Sequence, residues 1–417
     1  MPLDNRANLD QFTIVVANKE QQGQHAKAGF EHWKKDMSWE QYEAVYKKER
    51  QSEWGRDGKL VTWALVRKHD PSGEIYAGCE TYTRKGFVKH KGSNAVEDTH
   101  VYAIASVVTP REHMKNGYAT RLLSLLHHQL SPSSFPPLSS SNESNDTHTG
   151  VHTPPATAAS ALPLLPTGIG SILWSDVGSA FYAKCSPTSG RKGWVVQDAQ
   201  NQEIVWKLGN SPSSSSVDLP EGWQWLNLSD LPSVGQTLSK HARKKLENVD
   251  TTDRAVFIID PASKGTLSFV PTKGMWNRPA PEGLDPEPVG VRFTSKVDST
   301  VETIILFSLS MVSIGPRLLI THIHNLSPDD LPTLLVLLDQ LGAKTGQKEG
   351  WVWDLREEDD ASRKLGEAWK AEREVVSVGR RQEIDGHLLG VAWYGPLNAD
   401  EIREGGELLD GQMWAWC

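Results

Sequence analysis

Cysteine is scarce in this chain: three in 417 residues, at positions 79, 185 and 417. An odd number, widely spaced, builds neither a disulfide framework nor a zinc-ligand cluster, and it suits a reducing compartment. Long apolar runs are lacking as well. The most apolar stretch, 304–320, is interrupted by Ser308, Ser310, Ser313, Gly315, Pro316 and Arg317. It is too short and too broken to cross a bilayer, so no membrane partner is expected. The first residues carry no apolar signal-peptide core, and the expected location is cytoplasmic. Excess positive charge is lacking too. Lys+Arg number 44 against Asp+Glu 52, a formal net charge of -8, which argues against nucleic acid or an anionic membrane as the partner. An acidic balance suits a cationic substrate, and a negatively charged ligand then needs a local positive site.

What is present is ordinary for a globular protein: 38% hydrophobic and 23% charged residues. The length exceeds one ordinary core, so two domains are expected. The spacing predicts a first domain over 1–195 and a second over 196–417. The run 131–167 holds Ser, Pro, Thr and Ala with no Lys or Arg. It cannot bury enough apolar area to offset the ordering of its backbone, and is expected to be a disordered insertion within the first domain. Of the 16 Trp, eleven follow residue 190, which predicts an aromatic-rich second core.

In the first domain, strands are expected over 11–17, 60–67, 75–83 and 101–108, with a helical pattern over 26–47. A further strand at 171–175 and a short helix at 179–184 follow the insertion. Beyond it, strands are expected at 255–259, 289–293, 303–312 and 318–323, and a helix at 328–341. The expected class is α/β in the broad sense (α+β): a mixed, mostly antiparallel sheet flanked by helices, plus a second Trp-rich α+β domain.

The strongest local signal is Val107-Val108-Thr109-Pro110-Arg111-Glu112-His113-Met114-Lys115-Asn116-Gly117-Tyr118-Ala119-Thr120. An apolar strand ends at Val108, and after a polar turn a helix begins, striped by Leu122, Leu123, Leu126 and Leu130. The first amides of such a helix lack intrahelical partners and sit at its positive end, so they can hold an anion such as a pyrophosphate. Gly117 permits close backbone approach and Ala119 leaves room. Asn116-Gly117 would also suit a two-residue hairpin, but the leucines recur every three to four residues, not every two. The candidate anion-binding residues are therefore Met114, Lys115, Asn116, Gly117, Tyr118, Ala119 and Thr120.

This strand, turn and leucine helix resemble the acetyl-CoA motif of the GCN5-related N-acetyltransferase (GNAT) superfamily, an Arg/Gln-x-x-Gly-x-Gly/Ala pattern. Gly117 and Ala119 match its last two defined positions, while Met114 departs from the first. The layout Ile172-Leu173-Trp174-Ser175-Asp176-Val177-Gly178-Ser179-Ala180-Phe181-Tyr182 resembles the family's next motif, and Tyr182 matches its proton donor to the departing CoA thiolate. Read alone, Phe181-Tyr182 would simply pack a helix on the sheet. With Cys79-Glu80-Thr81-Tyr82 and the Trp-rich C-terminal half, the chain is similar to the fungal lysine N6-acetyltransferase group, and the second domain would complete or cap the substrate site. A second GNAT-like unit there is compatible with that resemblance.

The resemblance implies acetyl-CoA as cosubstrate, no metal, and transfer to a primary amine by direct attack, with the side-chain amine of free L-lysine favoured. The end of the central strand, Val107 and Val108, is then expected to hold the pantetheine arm and polarise the thioester. An amine of pKa near 10.4 needs roughly 4.6 kcal/mol to lose its proton at pH 7. Glu80 is the candidate general base, directly or through water, or the ammonium anchor; a plain strand pair with Arg84 or Lys85 is the structural alternative. Cys79 lacks a supporting His and is not expected to act as a nucleophile. Arg380 and Arg381 are candidates for a substrate carboxylate or a solvated pair, and the chain's last carboxylate, after Trp414-Ala415-Trp416, is a further, weaker base candidate. His322 and His324 share strand spacing without an acidic or cysteine partner and are expected to be structural. The alternative functions are a protein or peptide N-acetyltransferase and a catalytically silent acyl-CoA-binding protein.

Overall fold

The computed structural model describes residues 8–132, 165–188, 191–209, 217–276, 278, 280–295, 298, 300–309, 317–356, 359–395 and 405–417. The expected insertion 131–167 falls almost wholly outside them.

The elements run β1 (Phe12–Val16), α1 (Lys19–Trp33), α2 (Trp39–Gln51), β2 (Leu60–Arg67), β3 (Ala77–Lys89), β4 (Val96–Val108), α3 (Tyr118–Leu130), β5 (Gly170–Val177) and α4 (Ser179–Lys184). Then follow β6 (Val195–Val196), β7 (Gln202–Lys207), β8 (Gln224–Leu226), α5 (Leu231–Glu247), β9 (Ala255–Ile259), α6 (Phe269–Trp276), β10 (Gly290–Thr294), β11 (Glu302–Ser308) and β12 (Arg317–His324). The chain closes with α7 (Leu331–Thr345), β13 (Glu349–Trp353), α8 (Asp360–Glu372), β14 (Val375–Arg380), β15 (Ile384–Trp393) and β16 (Gly406–Leu408).

Two mixed, mostly antiparallel sheets result, flanked by helices, as expected. The first has the order β1-β2-β3-β4-β5-β15-β6, with β9 added to β3 and β16 to β9. The second has the order β14-β7-β13-β12-β11-β10-β8. Among the described residues parallel pairing occurs only at β4·β5, β16·β9 and β12·β13. The length of β3 explains the branch in the first sheet. Its first half pairs β2 and its second half, Gly86–Lys89, pairs β9. A Cβ at Gly86 would stand 2.7 Å from the Ile258 carbonyl oxygen, so a side chain there would push the branch apart. Strands from beyond residue 195 thus sit inside the first sheet. In particular β15 lies against β5, from Ile384↔Val177 to Trp393↔Gly170.

The single helical pattern expected over 26–47 is two helices. Each opens with a reciprocal capping box, Asn18 with Gln21 and Ser38 with Gln41, so the backbone is restarted at Ser38. On one face of the first sheet, Leu122, Leu123, Leu126 and Leu130 of α3 are buried against Phe12, Ile14, Trp63, Leu65, Cys79 and Ile104. Each such leucine contributes about 1.5–3 kcal/mol of burial. Strand alternation turns Thr62, Glu80 and Tyr82 to the opposite face. There α1 and α2 cover one end, while α6 and the segment Met413–Cys417 pack beside Tyr82, Ala103, Ile172 and Trp174. Among the described residues no helix is long and apolar enough to cross a membrane.

Candidate active site

The β4·β5 ladder is short. It pairs Val101–Ile104 with Gly170–Leu173 and then stops, although β4 continues to Val108 and β5 to Val177. On its other edge β4 stays bound to β3, but the register shifts there: Gly78 faces Val108 while Glu80 faces Ala105. The surplus residues form a bulge in which Ser106 takes φ +52. Bulges bend a strand and raise its twist, which accounts for β4 swinging away from β5 at Ile104. The result is a wedge between Ala105–Val108 and Trp174–Val177, with the C-terminal segment packed over one face of the sheet beside it. Val107 and Val108, expected to hold the pantetheine arm, lie on its wall.

The polar turn after β4 leads straight to α3. Gly117 is the helix N-cap, with φ +82 and ψ 7, and no side chain caps the helix. Lys115 is also left-handed, at φ +66. The Asn116 amide group donates backwards, to the carbonyls of His113 at 3.1 Å and Met114 at 3.2 Å, and so shapes the turn without filling the helix end. The first-turn amides of Tyr118, Ala119 and Thr120 have no intrahelical acceptor. Tyr118 is buried against Phe12 and Tyr76, at 4.9 and 5.1 Å between rings, which anchors the helix start. Residues 116–119 therefore join a strand to a helix, and the hairpin alternative is excluded. Met114 is exposed and fills no part of the turn. Sharing Arg111 with this region is a groove of about 500 Å³ lined by Lys27, Phe30, Glu31, Lys34 and Trp39.

Glu80 is buried beside the bulge. Its partner is neither Arg84 nor Lys85 but Arg50 of α2, whose Nη2 donates to Glu80 Oε1 at 2.6 Å. Arg50 is itself fixed by Thr62 Oγ1 at 2.7 Å, by the Tyr46 carbonyl at 3.0 Å and by stacking 3.4 Å over the Tyr46 ring. Burial opposes the charge on Glu80, but Arg50, His25 and a hydrogen bond from Ser106 outweigh it and hold the carboxyl below its ordinary range. Arg84 donates instead to the carbonyls of Ala415 and Trp416 and clamps the C-terminal segment onto β3. That segment sets Cys417 Sγ 3.6 Å from the Ile104 carbonyl, where the β4·β5 ladder ends.

Tyr182, on α4, packs with Phe181 and Trp194. Burial, then the neighbouring Cys185, Asp176 and Cys79, push its hydroxyl above the usual tyrosine range, so it keeps its proton at neutral pH. Its packing against the leucine-lined core places it on the α3 face of the sheet. Glu80 approaches from the other face. Cys79 is fully buried and burial raises its thiol, which leaves it protonated.

Among the other candidates, His322 packs on Trp414 and His324 on His241. Arg380 forms ion pairs with Asp198 and Glu383, whereas Arg381 points inward and is buried. Among the described residues the potential metal ligands that converge are Glu74, Glu112 and His113; both carboxylates are exposed and Glu74 is tied to His113 at 3.0 Å.

No family model matches this sequence, and no curated protein matches it. Distant likeness is found among solved structures. A GCN5-related N-acetyltransferase from Kribbella flavida superposes with a TM-score of 0.46 at 10% identity, covering 92% of this chain and 72% of that one. A GCN5-related N-acetyltransferase from Anabaena variabilis gives 0.44 at 13% identity, covering 92% and 73%. A GNAT family acetyltransferase from Brucella melitensis, in complex with acetyl-CoA, gives 0.22 at 11% identity, covering 41% and 79%. Likeness at this level assigns neither family nor activity.

Proposed function

We propose that this chain is an acetyl-CoA-dependent N-acetyltransferase acting on a primary amine, with free L-lysine as the leading acceptor. The observation that carries the proposal is the wedge at Ile104/Leu173 feeding into the uncapped N-terminus of α3 at Gly117. A diphosphate fits those amides, and a pantetheine-like arm fits the open edge of β4. Acetyl-CoA would supply the activated acyl thioester. Lys115–Thr120 would hold its diphosphate, and the backbone of Val107 and Val108 its arm and carbonyl.

The acceptor ammonium first loses a proton to solvent, because a protonated amine has no lone pair. As the N–C bond forms and the C–S bond breaks, a second proton leaves nitrogen for water and one must reach sulfur. Tyr182 stays protonated until negative charge gathers on the departing sulfur, donates there, and is restored from water. Glu80 is an ionised carboxylate with a depressed pKa, hence a weak base toward an amine near 10.4. It suits attraction and orientation of the ammonium better than direct proton removal. A sheet face closed by Met413–Cys417 and α6 favours a small acceptor over a peptide.

The test is release of free CoA thiol when the purified full chain is incubated with acetyl-CoA and a panel of lysine, other amino acids, polyamines and lysine-containing peptides. Release with lysine or other small amines is expected. Release only with peptides supports the peptide reading. Binding of CoA with no release on any amine, and no effect of Tyr182→Phe, supports a silent acyl-CoA-binding protein.

A further inference from the structure

Arg381 is 1% exposed, yet its Nε and Nη1 have no hydrogen-bond partner among the described residues. Its Nη2 donates to Asn201 Oδ1 at 2.6 Å, its backbone amide donates to the Asn201 carbonyl at 2.8 Å, its carbonyl accepts from Arg380 Nη1 at 3.2 Å, and the Trp353 ring lies 4.0 Å from the guanidinium. A buried guanidinium without a carboxylate is costly, and native proteins rarely leave one unmatched. The carboxylates within its electrostatic reach are already engaged. Glu203 accepts from Trp351 Nε1 at 2.6 Å and Ser377 Oγ at 2.8 Å. Asp354 is held by Arg356 at 2.8 Å and by the Gly411 amide at 2.6 Å. Asp176 pairs with His387 at 2.5 Å. Burial lowers the Arg381 pKa to about 9, with Glu203, Asp354 and Asp176 offsetting part of that shift without a direct hydrogen bond to the guanidinium.

Its surroundings connect it to the wedge. The Trp353 ring lies 5.6 Å from that of Trp416, and His387 lies 4.9 Å from the same Trp416. Trp416 immediately precedes Cys417, which touches Ile104 where the ladder opens. Arg381 is therefore one indole layer from the segment lining the wedge. The intervening β15 carries a second bulge against β5, with Asp385 at φ 56 and His387 at φ 49, the kind of local distortion that re-aims side chains at a site.

We infer that Arg381, walled by Trp353, Trp416 and His387, receives the carboxylate of the acceptor, making the enzyme selective for amino carboxylates over simple amines. The inference rests on the acyl-transfer reading of the wedge. It assigns Arg381 a role in specificity, separate from the groups that handle the reacting amine.

The experiment compares L-lysine, 6-aminohexanoate and 1,5-diaminopentane as acceptors for wild type, Arg381→Lys and Arg381→Met. Wild type should favour both carboxylates over the diamine in kcat/KM. Arg381→Met should lose on the order of 100-fold with the carboxylates, chiefly through KM, and stay within about threefold with the diamine, because only the former leave a charge unmatched. Arg381→Lys should keep part of the preference. Equal losses on all three acceptors, or a wild type with no preference for a carboxylate, overturn the inference while leaving acetyl transfer intact. Thermal unfolding with 6-aminohexanoate or hexylamine separates the two readings. If wild type acetylates nothing, a carboxylate-dependent rise in Tm that vanishes in Arg381→Met sustains the binding site and sinks only the acyl-transfer reading. Absence of that rise overturns the site.

Discussion

Replacing Glu80 by Gln isolates one charge at the bulge. In the wild type the buried carboxylate faces Arg50 at 2.6 Å, and removing one member of a buried pair costs about 3–5 kcal/mol when the other is stranded. Arg50 is not wholly stranded here. It keeps Thr62 Oγ1, the Tyr46 carbonyl and the Tyr46 ring, and a glutamine oxygen can still accept its hydrogen bond. The expected loss at pH 7 is therefore about 2–3 kcal/mol, between a neutral hydrogen bond and an abandoned charge. The pH dependence fixes the sign. Glu80 has a folded pKa below its ordinary 4.5, so its stabilisation is present above about pH 4.5 and is lost as pH falls through the folded value. Urea unfolding of both proteins at pH 7 and at pH 3–4 measures this, with the difference between them shrinking in acid. Equal stability at pH 7, or a gap that widens in acid, would refute the pairing argument. The same variant should lose acetyl transfer mainly through the KM for the amine if Glu80 orients the ammonium.

Three further outcomes are expected. Gly117→Ala forces a Cβ into the left-handed region at φ +82, costing about 1–2 kcal/mol of stability in thermal unfolding, and should weaken CoA binding in calorimetry beyond what the lost stability explains. Tyr182→Phe should lower kcat by about 100-fold or more while CoA affinity changes little; an unchanged kcat removes Tyr182 from the proton path. Cys79 and Cys185 are buried and their thiols are raised by burial, so neither should react with a thiol reagent at pH 8 in the native protein, and both should react in urea.

The strand, turn and helix around Gly117 are legible because all their determinants are local. A strand end, a glycine able to take φ +82 and a leucine stripe of helical period lie within about two dozen residues. The break between α1 and α2 was also readable, since Ser38 and Gln41 have capping-box spacing, but the aromatic spacing from Phe30 to Val45 suggested one helix. The partner of Glu80 was not readable. Arg84 shares its strand face, yet it is drawn to the Ala415 and Trp416 carbonyls, more than 300 residues away, while Arg50 comes in from a different helix. The insertion of β15 beside β5 and of β9 beside β3 is equally nonlocal, because strand periodicity states that a residue run is a strand and not which strand it pairs. The pair Arg380-Arg381 shows the same limit within two residues. Arg380 ends β14 and Arg381 follows it, and only the packing of Trp353 and Asn201 reveals that the second is the buried one.

The most direct measurement is a crystal structure of the full chain with CoA. The diphosphate should lie within hydrogen-bond distance of the amides of residues 116–120, with the sulfur at the mouth of the wedge between Ala105 and Trp174, facing Tyr182. CoA bound on any other surface, or a diphosphate making no contact with those amides, would contradict the account.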